Sequence, residues 1–129
     1  MKLFFFCTML TIVSSCGTDS KIVGSWLIDS ENTRGFSFND MGSNMVFTFN
    51  SDGTYKFLVP DRNYYLSGKY KIESSKLILS NITCSDKKME LSSEVKEKGI
   101  YFGVMVLSDK ILKISYKDDL SDYSTWIKQ

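Results

Sequence analysis

The 129-residue chain contains no histidine, a single proline and three cysteines. Without histidine it lacks the usual base for a nucleophilic serine or cysteine, and it has no glycine-rich phosphate loop. The run Asn-Ser-Asp-Gly at 50–53 begins like a calcium loop, but its twelfth position is Asp61 instead of the glutamate that such a loop requires. We therefore predict a protein that is not an enzyme and that uses no metal and no cofactor.

Charge of one sign is not in excess, because 16 basic residues stand against 15 acidic ones. A nucleic-acid-binding surface needs a basic stripe or patch, and this near balance gives no sign of one. We therefore expect no nucleic-acid partner.

Long hydrophobic runs are also scarce, and the notable one covers residues 3–13, directly after Met1 and Lys2. It is too short for the ~20 residues that span a bilayer, but it fits the core of a signal peptide. Ser-Ser-Cys at 14–16 follows, and the whole segment resembles the lipobox of bacterial lipoproteins. In that motif a peptidase cuts before a cysteine that already carries a diacylglycerol, so the resemblance implies lipid attachment at Cys16.

Such processing would divide the chain into a signal peptide at 1–15, a lipidated N-terminus and tether at 16–20, and one domain at 21–129. The lipid bilayer would then be a partner through acylated Cys16, because several acyl chains together hold a protein durably. Residues 17–20 lack the sorting signals linked to inner-membrane retention or surface export. The resemblance therefore implies a cell-envelope protein, anchored in the outer membrane and facing the periplasm.

Cysteine chemistry is limited by the same processing. Cys7 would leave with the signal peptide and Cys16 would carry lipid, so Cys84 would be the remaining thiol. No intramolecular disulfide could form in the domain. We expect Cys84 to be inert and partly buried.

Residues 21–129 show apolar side chains at every second position, broken by turn residues, and they show no sustained helical repeat. The Asp-Gly pair within 50–53 is typical of a hairpin turn. The predicted strands cover residues 22–29, 45–49, 54–59, 64–72, 76–80, 89–95, 100–107, 111–116 and 123–128. Segment 89–95 is mostly polar and is either an edge strand or a loop. The pattern predicts an all-β domain that closes into a barrel or forms two packed sheets, because long open edges invite aggregation.

Three motifs carry a further resemblance. Gly-Ser-Trp at 24–26 opens the first strand, Phe-x-x-Asp-Gly-Thr-Tyr covers 49–55, and Ser-Gly-Lys-Tyr follows at 67–70. Together they resemble the lipocalin-like domains common in lipoproteins of Bacteroides-type bacteria. The resemblance implies an all-β fold, a small up-and-down antiparallel barrel of about eight strands after a cleaved lipoprotein signal peptide, and no catalytic chemistry.

In such a barrel Gly24 and Trp26 would have a structural role at the floor. A glycine permits close approach of the chain, and the indole closes the end of the barrel while its N–H finds a buried acceptor. We favour this structural role over ligand contact for Trp26.

Two further groups of residues have open interpretations. An aromatic set forms either a ligand-binding barrel interior or a core filled by its own side chains: Phe47, Phe49, Tyr55, Phe57, Tyr70 and Tyr116. The long connection at 30–44 carries Arg34, Phe36 and Phe38 and is either a lid over the barrel mouth or a cover along one barrel edge.

The sequence thus predicts a membrane-anchored lipoprotein whose lipocalin-like barrel binds a small apolar or amphipathic ligand. The alternative is a non-enzymatic interaction or structural lipoprotein, whose filled barrel contacts a protein or glycan partner.

Overall fold

The computed structural model describes residues 21–35 and 42–129, and these residues form a closed antiparallel barrel whose eight strands follow one another in chain order. The strands are β1 (Gly24–Ile28), β2 (Val46–Phe49), β3 (Thr54–Val59), β4 (Tyr64–Glu73), β5 (Lys76–Cys84), β6 (Ile100–Leu107), β7 (Ile111–Tyr116) and β8 (Asp119–Lys128). Helix α1 spans Ser93–Lys98, and short 3-10 helices span Ser30–Asn32 and Pro60–Arg62. The prediction of a barrel of about eight strands is confirmed, and the two-sheet alternative is excluded.

The two ends of the barrel are named here by their connections. At the lower end β1 begins and the turns at 50–53, 74–75 and 108–110 join neighbouring strands. At the upper end lie the 3-10 helices and the segment that carries α1. In the described part of the chain, no helix is both long and apolar enough to cross a membrane.

The barrel closes where β1 pairs with β8. Leu27 lies opposite Ile127 and Ile28 lies opposite Trp126. Two backbone hydrogen bonds extend this seam, from Asp29 N to Thr125 O at 2.7 Å and from Gln129 N to Ser25 O at 2.9 Å. Because the seam pairs the first strand with the last, the barrel leaves no open sheet edge.

Alternation along each strand separates the interior from the outer surface. In β3, Tyr55, Phe57 and Val59 are buried, whereas Lys56 and Leu58 between them are exposed. The other strands contribute buried side chains in the same way. Each large apolar side chain that is fully buried stabilises the fold by about 1.5–3 kcal/mol, so the interior is the main source of stability.

The hairpin predicted at 50–53 is present. Gly53 N donates to Asn50 O at 3.1 Å, and Gly53 has a φ of +88°, which favours glycine. The Asp52 carboxylate accepts hydrogen bonds from Thr54 Oγ1 at 2.6 Å and Thr54 N at 3.0 Å. These bonds lower the pKa of Asp52, so the turn is held by a charged acceptor.

Segment 89–95, for which an edge strand and a loop were both open, forms no strand: residues 89–92 are a loop, and helix α1 begins at Ser93. The Ser92 hydroxyl accepts a hydrogen bond from Val95 N at 3.2 Å, which caps the helix N-terminus. Gly99 ends the helix with a φ of +78°, and its N–H donates to Val95 O at 2.9 Å. The sequence signals for this helix are a serine that can cap its N-terminus and a glycine at its C-terminus, with six helical residues between them.

The polar residues at 81–84 continue β5 beyond its predicted end at residue 80. A register shift between Ser67 and Lys69 lets β4 follow β5 over this length. At the shift a side chain on Gly68 would overlap the backbone carbonyls of Ser80 and Asn81. Asn81 takes a φ of +51°, and such irregular pairs bend and twist a strand. The glycine is therefore required by close approach of two backbones.

Substituting Gly68→Ala is expected to lower the free energy of unfolding by about 3 kcal/mol, because backbone atoms cannot move away as a flexible side chain can. Gly53→Ala is the matched control, since open space surrounds Gly53 and only its positive φ is strained. That control should cost about 1 kcal/mol. Urea unfolding followed by circular dichroism measures both values, and equal losses would contradict the steric role of Gly68.

Candidate functional site

The lower end of the barrel is closed by Trp26 and the chain that precedes it. Trp26 is fully buried, and its Nε1 donates to Ile22 O at 2.8 Å. Lys128 Nζ lies 5.2 Å from the Trp26 ring and donates to Lys21 O at 3.2 Å. The Lys128 side chain also packs where a Cβ on Gly24 would stand, and Gly24 has a φ of +135°. The structure places Gly24 and Trp26 at the barrel floor.

Aromatic rings form one wall of the interior, with Phe47 at their centre. The Phe47 ring lies 4.7 Å from Phe49, 4.8 Å from Phe57 and 5.2 Å from the edge-on ring of Trp126, measured between centroids. Tyr70 packs edge-on against Phe49 at 4.9 Å. The Tyr55 ring lies 6.1 Å from Phe47, so five of the predicted aromatic residues are in contact, and this density of rings limits the free space on their side.

Trp126 belongs to this wall, although it was not among the predicted interior residues. It is fully buried, and its Nε1 donates to Ser124 Oγ at 2.7 Å. Its side chain faces inward because it alternates with exposed Ile127 on β8. Ser124 and Thr125 are also buried, so β8 does not alternate strictly here, and the signal that could have identified Trp126 is a large aromatic side chain within the predicted strand at 123–128.

Tyr116 does not line the interior, which corrects the prediction for this residue. Its side chain is 37% exposed, and its ring lies 5.5 Å from Lys117 Nζ. Leu112 and Ile114 on the same strand are fully buried, so simple alternation would turn Tyr116 inward. A register shift between Ser115 and Tyr116 breaks the alternation and leaves the tyrosine at the barrel surface, where its ring packs edge-on against Phe102 with 6.4 Å between centroids.

Aliphatic side chains and one phenylalanine form the opposite wall. Strands β5, β6 and β7 contribute the buried residues Leu77, Leu79, Ile82, Phe102, Leu112 and Ile114. Near the upper end, the inward-facing pair Leu66 and Cys84 is only partly buried against this core. Cys84 is a free thiol whose Sγ lies 3.7 Å from Met89 Sδ. Solvent therefore reaches Leu66 and Cys84, at the upper end of β4 and β5.

Tyr55 carries a buried hydroxyl that has no hydrogen-bond partner among the described residues. The residue is 2% exposed and lies opposite Gly68, which offers no side chain. Other buried polar groups of the interior are paired: Tyr70 Oη, for example, donates to Asn50 O at 2.9 Å. Burial raises the pKa of Tyr55 above its usual range, so the hydroxyl keeps its proton and can donate. An unpaired buried hydroxyl costs about 1–3 kcal/mol, which makes this atom the outstanding feature of the interior.

The connection at 30–44 begins along β8 instead of over the barrel mouth. The Arg34 backbone exchanges two hydrogen bonds with Tyr123, at 2.8 and 2.9 Å. Its exposed guanidinium donates to Glu31 O at 2.9 Å and to Thr33 O at 3.1 Å, within its own turn. Arg34 therefore pairs with the part of β8 that β1 does not reach, as the interpretation of a cover predicts and that of a lid does not. Phe36 and Phe38 lie outside the described residues.

The outer surface carries a row of apolar side chains, each the cross-strand neighbour of the next. In order from β7 to β4 they are Ile111, Ile127, Leu27, Val46, Leu58 and Tyr65. Leu58 is 37% exposed, and Lys56 Nζ lies 4.3 Å over the Tyr65 ring. An interaction protein would present such a surface to its partner, and that alternative stays a prediction.

The closed eight-stranded barrel with a plugged floor is the architecture of a lipocalin-like domain. A family model described as a lipocalin-like domain matches residues 22–114. Because this match covers more than half of the chain, the chain belongs to the lipocalin-like domain family.

Among solved structures, the chain is similar to a lipocalin-like protein from Bacteroides uniformis ATCC 8492. The two share 15% sequence identity and a TM-score of 0.55, over 84% of this chain and 99% of that chain. At this identity the likeness concerns the fold alone, and it supports the predicted link to Bacteroides-type proteins. No curated protein matches the chain.

The unpaired hydroxyl makes a prediction about stability. Tyr55→Phe is expected to raise the free energy of unfolding of the ligand-free protein by about 1 kcal/mol, because it removes a buried polar atom that bonds to nothing. Tyr70→Phe, the matched control, should lower it by about 1 kcal/mol, since it breaks the bond to Asn50 O. Urea unfolding gives both values, and a Tyr55→Phe loss as large as the Tyr70→Phe loss would show that Tyr55 Oη is paired in solution.

Proposed function

We propose that the barrel binds a small ligand with an apolar body and one polar group, and that this polar group forms a hydrogen bond with Tyr55 Oη. The single observation that carries the proposal is the unpaired hydroxyl of a residue that is 2% exposed. Buried polar groups are almost always paired in folded proteins, so this exception supports a partner that comes from outside the protein.

The two walls of the interior support an apolar ligand body. Rings on one side and aliphatic side chains on the other offer dispersion contacts but few polar partners, so orientation would come from Tyr55. Membership of the lipocalin-like family also supports a small hydrophobic ligand. Entry from the upper end, beside Leu66 and Cys84, fits the partial exposure of these inward-facing residues.

We further propose a binding protein instead of an enzyme, because binding requires no residue beyond those already described. The interior holds hydroxyl groups and apolar side chains. Among the described residues, no three histidine, cysteine, aspartate or glutamate side chains come together to hold a metal ion. The fold of the family is typically a binding fold, which agrees with this proposal.

The lipid anchor at Cys16 is part of the same proposal, with the protein held at the outer membrane and facing the periplasm. Residues 1–20 lie outside the described residues, but Lys21 is located at the lower end, where its carbonyl accepts from Lys128 Nζ. Five residues of extended chain reach at most about 18 Å. The lower end would therefore lie near the bilayer, and the upper end, where a ligand would enter, would point away from it.

Native mass spectrometry tests the ligand. Protein purified gently from its own cells is expected to carry a reproducible non-covalent mass that is lost on denaturation, in addition to the acyl groups on Cys16. Tyr55→Phe should weaken the affinity about tenfold, the loss of one buried hydrogen bond, and so lower the occupied fraction. Tyr70→Phe is the control and should keep the mass. An unoccupied wild-type protein, or equal occupancy in Tyr55→Phe, would overturn the proposal.

Substitution at the lipobox tests the anchor. Cys16→Ser is expected to abolish incorporation of radiolabelled palmitate, because the thiol is the atom that would be acylated. Cys7→Ser should be labelled as strongly as the wild type, since Cys7 lies within the predicted signal peptide. Label that persists in Cys16→Ser would contradict lipidation at this residue.

A further inference from the structure

A second concave surface lies on the outside of the barrel wall, separate from the interior. It is a groove of about 560 Å³ between α1, the outer face of β5 and β6, and the end of β7. Its chemistry is set by three lysines and two tyrosines: Lys76, Lys98, Lys117, Tyr101 and Tyr116. The volume falls within the range of small-molecule sites, and we call this surface the α1 groove.

Irregular features of the fold build the α1 groove. Ile78 and Tyr101 are cross-strand partners that face outward on β5 and β6. Gly99 brings the end of α1 against β5, where any side chain would overlap the Leu79 carbonyl. The register shift before Tyr116 turns that ring out of the barrel and toward the groove. Residues from three elements thus meet on one side of the barrel.

The groove is electrostatically positive. Lys76 Nζ lies 4.7 Å from the Tyr101 ring centroid, and Lys117 Nζ lies 5.5 Å from that of Tyr116. Within the described part of the chain, neither these two lysines nor Lys98 forms an ion pair. Glu94 lies in the lining, and the Asp118 carboxylate accepts a hydrogen bond from Tyr101 Oη at 2.8 Å, so three lysines stand against two carboxylates. Cations held on aromatic rings beside a concavity favour an anion.

The base of the groove is apolar, because Ile78, Val95 and Ile100 contribute to its lining. An inorganic anion would pair with the lysines but leave these side chains exposed to water. A neutral apolar molecule would cover the side chains but gain nothing from the lysines. A ligand that satisfies both has an apolar ring and a carboxylate.

We propose that the α1 groove binds an organic anion, specifically an aromatic or alicyclic carboxylate, whose ring covers the apolar base and whose carboxylate faces Lys98 and Lys117. This site is independent of the ligand proposed for the interior. The lysines that it uses lie outside the interior, whereas Val95 and Ile100 in its base also pack against the core.

The experiment is an NMR titration of the full-length protein in a non-ionic detergent, with 2-naphthoate as the probe and 2-naphthamide as its uncharged counterpart. Naphthoate is expected to shift the amide signals of Ile78, Gly99 and Tyr101 in a saturable manner. Naphthamide should bind at least about tenfold more weakly, and raising the salt concentration should weaken naphthoate only.

Paired substitutions sharpen the test. Lys98→Gln with Lys117→Gln should weaken naphthoate about tenfold, because an exposed ionic contact contributes up to about fivefold each. Lys56→Gln with Lys113→Gln is the matched control, since these lysines also lie over tyrosine rings, at 4.3 and 4.8 Å, but outside the groove. The control removes the same net charge and should leave the affinity unchanged. The amide spectrum of each variant shows whether it is folded.

Several results would overturn the proposal. Equal binding of naphthoate and naphthamide would show that the lysines do not contribute. Shifts confined to the interior, at Phe47 and Tyr55, would assign the probe to the other site. An equal loss of naphthoate affinity in the Lys56 and Lys113 control would show that the change in net charge alone explains the effect. The absence of any saturable shift would show that the groove does not bind this class of ligand.

Discussion

The pairing of β1 with β8 is the constraint on which the rest of this structure depends. It removes every open edge from a domain made of short strands, and it places two buried indoles, Trp26 and Trp126, on neighbouring strands of one seam. Trp26 closes the lower end through its bond to Ile22 O, and Trp126 joins the aromatic wall. Without this seam the interior would lose both its floor and the Trp126 side of its aromatic wall. Stability and the proposed binding site therefore come from the same contacts.

Hydrogen bonding in the interior is complete for most buried donors but not for all of them. Indole N–H groups and the Tyr70 hydroxyl have protein acceptors, whereas the Tyr55 hydroxyl has none among the described residues. A fold that pairs its other buried donors but leaves one unpaired has a site at which an external acceptor gains a full hydrogen bond. Leu66 and Cys84 are partly buried toward the upper end, away from the lipid anchor proposed at Cys16.

Much of the barrel was predictable because period-two alternation and the Asp-Gly turn are local signals. The bounds of β3, β6 and β7 agree with the predicted segments. The errors have a common cause, since α1 and the outward turn of Tyr116 both occur where the regular ladder is interrupted. Alternation cannot reveal a register shift, which depends on neighbouring strands. The Tyr55 ring could be placed inside from sequence, but the lack of a partner for its hydroxyl could not, because that depends on the absent side chain of Gly68 and on every surrounding acceptor. The α1 groove was not predictable, because it forms where helix α1 and the register shift before Tyr116 interrupt the regular strand pairing.

The most direct test of the central claim is a crystal structure of the protein purified from its own cells without detergent exchange. The binding account predicts electron density for a non-protein molecule in the barrel, with a polar atom within hydrogen-bonding distance of Tyr55 Oη. Density that shows Tyr55 Oη bonded to a protein group, in an interior filled by its own side chains, would contradict it.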